Sequence, residues 1–183
     1  MIRKKLVWAG ILILAVLLWP GKAPSQAQTF RLQETTIEAV QNAYKAGGLT
    51  AHQLVELYLK RIDAYDKKGP AINSIITINP KALEEADRLD AAFKRSGLTG
   101  PLHGIPVIVK DQFDVKGMPT TLGSILFEGY YPDRDSFVAE KLRKAGAIIL
   151  GKTTLGELGG GDTHGSLFGS TRNPYALDRT VGG

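Results

Sequence analysis

The sequence contains no cysteine. That excludes disulfides, thiol nucleophiles and a lipid-modified cysteine anchor. A chain without disulfides has to be held together by its core. The first 27 residues contain no acidic side chain at all. Nowhere is there an apolar run of the ~20 residues that a bilayer span needs; the longest, Leu6 to Trp19, has 14. We find no internal repeat and no low-complexity tract. Residues 158–162, Leu-Gly-Gly-Gly-Asp, are glycine-rich but lack the Gly-Lys-Ser/Thr ending of a phosphate loop. His52, His103 and His164 show no metal-ligand spacing and no carboxylate pattern beside them, so no metal and no Ser-His-Asp site is expected.

What is present at the N-terminus has a clear order. Arg3, Lys4 and Lys5 precede the apolar run, Pro20-Gly21 break it, and Ser25-Gln26-Ala27 form a small-x-small step. This is the layout of a secretory signal peptide over residues 1–27, cut after Ala27. The same segment kept as an uncleaved anchor is the alternative. Cleavage is the reading taken, which leaves no stable membrane span and places the protein in the periplasm or outside the cell. Four of the 23 Lys and Arg lie in residues 1–27, leaving 19 against 18 acids, a net charge of +1. The basic balance is thus mostly a targeting signal, and nucleic-acid binding loses its support.

Residues 28–183 read as alternating helices and strands, which points to α/β packing. A helix is expected over 35–46 with Thr35-x-x-Glu38 as capping box. A second opens at Thr50-x-x-Gln53. Ile72 to Ile78 is a strand candidate. Asn79-Pro80 reads as an N-cap with proline in the first turn of a helix running to about Arg95. Pro106 to Lys110 reads as a short buried-type strand. Asp135-Ser136 caps a helix to about Ala145, and Ala147 to Leu150 is another apolar strand.

The most informative stretch is Gly100 to Asp111. It reads as a turn, a strand, then Lys110 and Asp111 at the strand's end. Ile108 and Lys110 share one face, Val107 and Val109 the other. A lysine there can sit in an apolar setting that favours its neutral amine, a possible base. From spacing alone, the ordinary reading is a lysine reaching to solvent. Asp111 either orders that lysine or caps the next turn, and the structural role is preferred.

The stretch resembles the lysine motif of the amidase signature family, Gly-x-Pro, three apolar residues, Lys-Asp. Further segments continue the resemblance in order. They are Asp114-Val115, Gly117-Met118-Pro119-Thr120-Thr121, Leu150-Gly151-Lys152-Thr153, Glu157, Gly169 and Asn173-Pro174-Tyr175. The N-terminal helices are also similar, so the resemblance covers about residues 34–183.

The resemblance implies the N-terminal part of the amidase signature fold: α/β, with a mixed central sheet covered by helices. It implies a Ser–Ser–Lys triad with Lys110 as general base, acting through a bridging serine on a nucleophilic serine. No cofactor and no metal is implied. Substrates would be small-molecule, lipid or peptide amides. The backbone of Gly159, Gly160 and Gly161 lies in the region that lines the acyl side of the family's site, which makes these residues substrate contacts. Gly182-Gly183 resemble the start of the loop that carries the bridging serine, with Val181 where the family has proline. Residues 1–183 therefore hold one triad member and are expected to be inactive by themselves. Ser124, Ser136, Ser166 and Ser170 match neither serine. Two other readings stand beside this one: an A subunit-like component of a tRNA-dependent amidotransferase, and a non-catalytic module of the same fold.

Overall fold

The computed structural model describes residues 30–182. The proposed signal segment 1–27 lies outside them. Helices α1 (Ile37–Lys45) and α2 (Ala51–Ile62) precede strand β1 (Ile75–Ile78), and α3 (Ala82–Ser96) leads on to β2 (Pro106–Lys110). Helix α4 (Phe137–Lys144) and β3 (Ile148–Thr153) follow, then a hairpin of β4 (Arg172–Asn173) and β5 (Ala176–Thr180).

The main sheet has the order β1-β3-β2. β3 runs antiparallel to β1 and parallel to β2, so the sheet is mixed. β3 is central and buried on both faces, which explains its unbroken apolar run. Ile148 and Leu150 join Val40, Tyr44, Leu54 and Leu89 under α1, α2 and α3. Ile149 joins Val109, Val115, Met118 and Ala139 under α4. Among the described residues no helix is long and apolar enough to cross a membrane.

The helices start where local chemistry satisfies their first N–H groups. Thr50 and Gln53 form the expected capping box on α2. Asp90 of α3 adds a second cap, accepting from Ala51 N at 2.7 Å and His52 N at 3.0 Å. This ties the two helices together where the dipole of α2 is positive. Ser136 caps α4 as expected.

Three local expectations need correction. The cap of α1 is Thr36, which accepts from Ala39 N, and not Thr35, whose hydroxyl is buried without a partner. α3 starts at Ala82, two residues after Pro80. Asn79 is held on the sheet instead, through its N–H to Leu150 O and its side-chain amide to Ile149 O. Its Oδ1 then accepts from Lys81 N in a turn ahead of the helix. β1 begins at Ile75, because Ala71 and Asn73 take left-handed backbone angles that break the extended run before it.

The loop before β1 is fastened to the end of α2. A π-helical turn, Asp63–Lys67, extends α2 and carries Asp66. The buried Asp66 carboxylate accepts from Ser74 N at 2.6 Å, Ser74 Oγ at 2.5 Å and Ile75 N at 3.1 Å. Burial opposes its ionisation, but the Ser74 and Ile75 hydrogen bonds and the nearby Lys67 win, and its pKa is lowered.

Candidate active site

β2 has the predicted limits but not the predicted burial. Val109 is buried, while Ile108 is 53% exposed and Lys110 lies on the same open face. The reason is topological: among the described residues β2 is an edge strand, paired only with β3. Lys110 therefore does not sit in an apolar setting within the described residues. Its Nζ donates to Thr154 O at 2.8 Å, just beyond the end of β3.

That carbonyl is well fixed. Thr154 N donates to Ser74 O at 2.9 Å, and its hydroxyl lies 2.5 Å from Thr171 Oγ1. Thr171 Oγ1 also donates to Asn73 O at 3.0 Å, and Thr171 N donates to Thr163 Oγ1 at 3.3 Å. These three threonines are buried. They lock the segment after β3 against the start of β1, and Lys110 is moored to that lock.

The fully buried lysine is a different one. Lys152 and Asp111 are both 0% exposed, with Lys152 Nζ 3.0 Å from Asp111 Oδ1. Lys152 directs its hydrogen bonds to Pro119 O at 2.7 Å and Thr120 Oγ1 at 2.8 Å. The Asp111 contact is a charge pairing outside good hydrogen-bond angles. Burial pulls the Lys152 pKa down, and Asp111 beside it opposes that. The other Asp111 oxygen accepts from Thr121 N at 3.1 Å, the Thr121 hydroxyl and Gly123 N at 3.3 Å. Asp111 thus neither contacts Lys110 nor merely caps a turn. It gathers loop 119–124 onto the strand ends.

Strict alternation would place Lys152 with Ile148 and Leu150. Between Val107 and Ile108 the pairing slips by one residue of β3, so that Ile149 and Lys152 come opposite Val107 and Val109. This bulge turns Lys152 from the α1–α3 side to the side of Met118 and Thr120. The sequence signal for the bulge is slight: a glycine, Gly151, next to the slip. A Cβ there would lie 2.7 Å from Thr77 O, so only glycine fits without movement.

The glycine loop follows directly. A short 3-10 turn, Glu157–Gly159, carries Glu157, whose carboxylate accepts from Ser124 Oγ at 2.7 Å, Ser166 Oγ at 2.8 Å and Ser166 N at 3.1 Å. The two serine bonds hold its pKa below the usual carboxylate value. Gly159, Gly160 and Gly161 are exposed. The N–H groups of Gly159 and Gly160 are bonded to Gly156 O and Glu157 O. Only the carbonyls of these two glycines remain for a ligand, while Gly161, at φ 71°, turns the chain back.

The serines and histidines singled out in the sequence have structural partners. Ser136 caps α4, Ser124 and Ser166 serve Glu157, and Ser170 Oγ lies 3.0 Å from His164 Nδ1. His103 is buried, with Nδ1 accepting from Thr99 N, and burial lowers its pKa, keeping it neutral. His52 pairs with Asp87 at the surface.

Comparison with known proteins supplies a family. Residues 53–183 match the family model described as Amidase. The chain is 40% identical over 154 residues to the A subunit of the glutamyl-tRNA(Gln) amidotransferase from Syntrophus aciditrophicus, covering 83% of this chain and 31% of that protein. The protein of the same name from Methanosarcina mazei is 42% identical over 135 residues, covering 73% and 26%. Among solved structures, a peptide amidase from Stenotrophomonas maltophilia superposes with a TM-score of 0.80 at 38% identity, covering 84% of this chain and 33% of that one. An amidase family protein from Bacillus anthracis gives 0.76 at 29% identity, covering 83% and 32%. The chain spans a third or less of the length of each of these proteins.

Proposed function

The chain belongs to the amidase family, and from that premise we propose that the full-length protein is an exported amide-bond hydrolase with Lys110 as its general base. One observation carries the reading. Lys110 stands at the C-terminal end of β2, inside the matched region, and its ammonium is fixed on a backbone carbonyl rather than spent on a carboxylate. A lysine on a neutral acceptor is tied to no counter-charge and is placed to meet a hydroxyl brought within hydrogen-bond reach.

The chemistry follows from the Ser–Ser–Lys arrangement that the family resemblance implies, in which Lys110 matches the lysine. The neutral Lys110 amine takes the proton of the bridging serine as that serine takes the proton of the nucleophile. The nucleophile's oxygen bonds to the amide carbonyl carbon, and backbone N–H groups hold the oxyanion. The C–N bond breaks, the amine leaves with the proton, and water hydrolyses the acyl ester. Gly159, Gly160 and Gly161 would border the acyl group, the first two through their carbonyls. Residues 1–183 supply the base and this border.

The test uses the full-length protein and four amides: butyramide, benzamide, a C-terminally amidated dipeptide and oleamide. Hydrolysis of at least one, with an acyl-enzyme trapped by hydroxylamine, is expected. No hydrolysis of any, and no adduct, would remove the reading. Export predicts a mature N-terminus at Gln28 in the periplasmic or extracellular fraction; intact residues 1–27 on cytosolic protein would contradict it.

The names of the curated relatives favour a second reading, in which the protein is the A subunit of a tRNA-dependent amidotransferase. Its signature is glutamine-dependent amidation of glutamyl-tRNA(Gln) with partner subunits, and not hydrolysis of free amides. The near-neutral charge of residues 28–183 argues for the hydrolase. A reading frame that stops without Ser-Ser-Gly-Gly would instead mark a non-catalytic module.

A further inference from the structure

We infer that Asp111 and Lys152 act as a positioning pair, which holds Lys110 at a fixed distance from the glycine loop. This rests on the reading of Lys110 as base. Lys110 lies at the end of an edge strand, where a single ladder to β3 would leave it free to fray. The ladder itself slips by a residue between Val107 and Ile108. Beyond that slip the ladder resumes, pairing Ile108 with Gly151, Val109 with Lys152 and Lys110 with Thr153, and Asp111 N to Thr153 O at 3.1 Å and the buried charges close its end.

The pair is an expensive way to obtain stability. Two charges removed from water are often replaceable by apolar side chains with no loss of stability. What an apolar pair would lack is reach. Lys152 takes Pro119 O and Thr120 Oγ1, and Asp111 takes Thr121 and Gly123 N, so one ion pair closes loop 119–124 on both strands. That loop runs into Ser124, whose hydroxyl holds Glu157 at the base of the glycine turn. Lys110 is the direct neighbour of Asp111, and its ammonium rests on Thr154, two residues past Lys152. Both ends of the Lys110 side chain are therefore referred to the same pair.

The experiment compares Asp111→Asn, the double variant Asp111→Asn/Lys152→Met and Lys110→Ala, all in the full-length protein. The double variant removes both charges and so avoids a stranded buried ion. kcat and KM are measured on whichever of the four amides the wild type hydrolyses fastest, per folded molecule counted by circular dichroism. Misplacing a catalytic group by about an ångström costs about a hundredfold in rate. Both Asp111 variants are thus expected to lose about a hundredfold in kcat with KM near the wild-type value. Wild-type kcat in the double variant, or a yield of folded protein that falls while kcat holds, would overturn the positioning role. A rise in KM with kcat unchanged would do the same. Wild-type kcat in Lys110→Ala would instead remove the underlying reading.

Discussion

Replacing Asp66 probes the lock on which Lys110 is moored. The route is short: Asp66 holds Ser74, Ser74 O accepts from Thr154 N, and Thr154 O accepts from Lys110. Asp66→Ala strands two backbone donors, Ser74 N and Ile75 N, and one hydroxyl. Hydrogen bonds to a charged acceptor contribute ~1.5–3 kcal/mol each and are not additive. Water can reach part of this turn, since Lys67 beside it is 42% exposed. The loss is expected at about 3–5 kcal/mol at neutral pH. Asp66→Asn keeps one acceptor oxygen but turns an amide donor toward Ile75 N, and about 2 kcal/mol is expected.

The pH dependence has a definite sign. The pKa of folded Asp66 is lowered, so its stabilisation is present above the unfolded-state value of about 3.9 and is lost as pH falls toward the folded value. Urea unfolding of the full-length protein, followed by far-ultraviolet circular dichroism, should show the Asp66→Asn penalty in full at neutral pH. It should shrink once the pH falls below about 4. Equal stability of Asp66→Asn and wild type at neutral pH would refute the hydrogen-bond argument. A penalty that grows on acidification would refute the sign.

Two further outcomes follow from the packing and the loop. Leu54 is 0% exposed in the cluster beneath α1–α3, and Leu54→Ala should cost about 2–5 kcal/mol in the same unfolding experiment. A Cβ on Gly156 would stand 2.0 Å from Asp162 O and 2.5 Å from Gly160 O. Gly156→Ala must therefore open the glycine turn, and KM for the best amide should rise about tenfold, a binding loss of ~1.4 kcal/mol. An unchanged KM would detach Gly159–Gly161 from the substrate.

Much of this architecture is legible in the chain itself. The capping box at Thr50, the cap at Ser136 and the limits of β2 follow from local chemistry, and local chemistry is what a short window of sequence contains. The errors lie where a distant group intervenes. Asn79 reads as a helix cap until Ile149 and Leu150 are seen to claim its side chain and N–H. Spacing reads Lys110 as a lysine reaching to solvent, and it is exposed on the edge of β2, but nothing in the local pattern shows that the bulge beside Gly151 buries Lys152. Strand order and bulges are set by pairing across dozens of residues, and no local period records them. The assignment of a role to Lys110 came from resemblance, and the match over residues 53–183 upholds the family from which it came.

The proposed chemistry depends on Lys110 moving the proton. It is tested most directly by turnover of the full-length Lys110→Ala variant on the amide that the wild type hydrolyses best. A positioned general base is worth about 10²–10⁴ in rate. Lys110→Ala should lose at least that much, with the wild-type circular dichroism spectrum and unfolding midpoint retained. Turnover near the wild-type rate in that folded variant would contradict it.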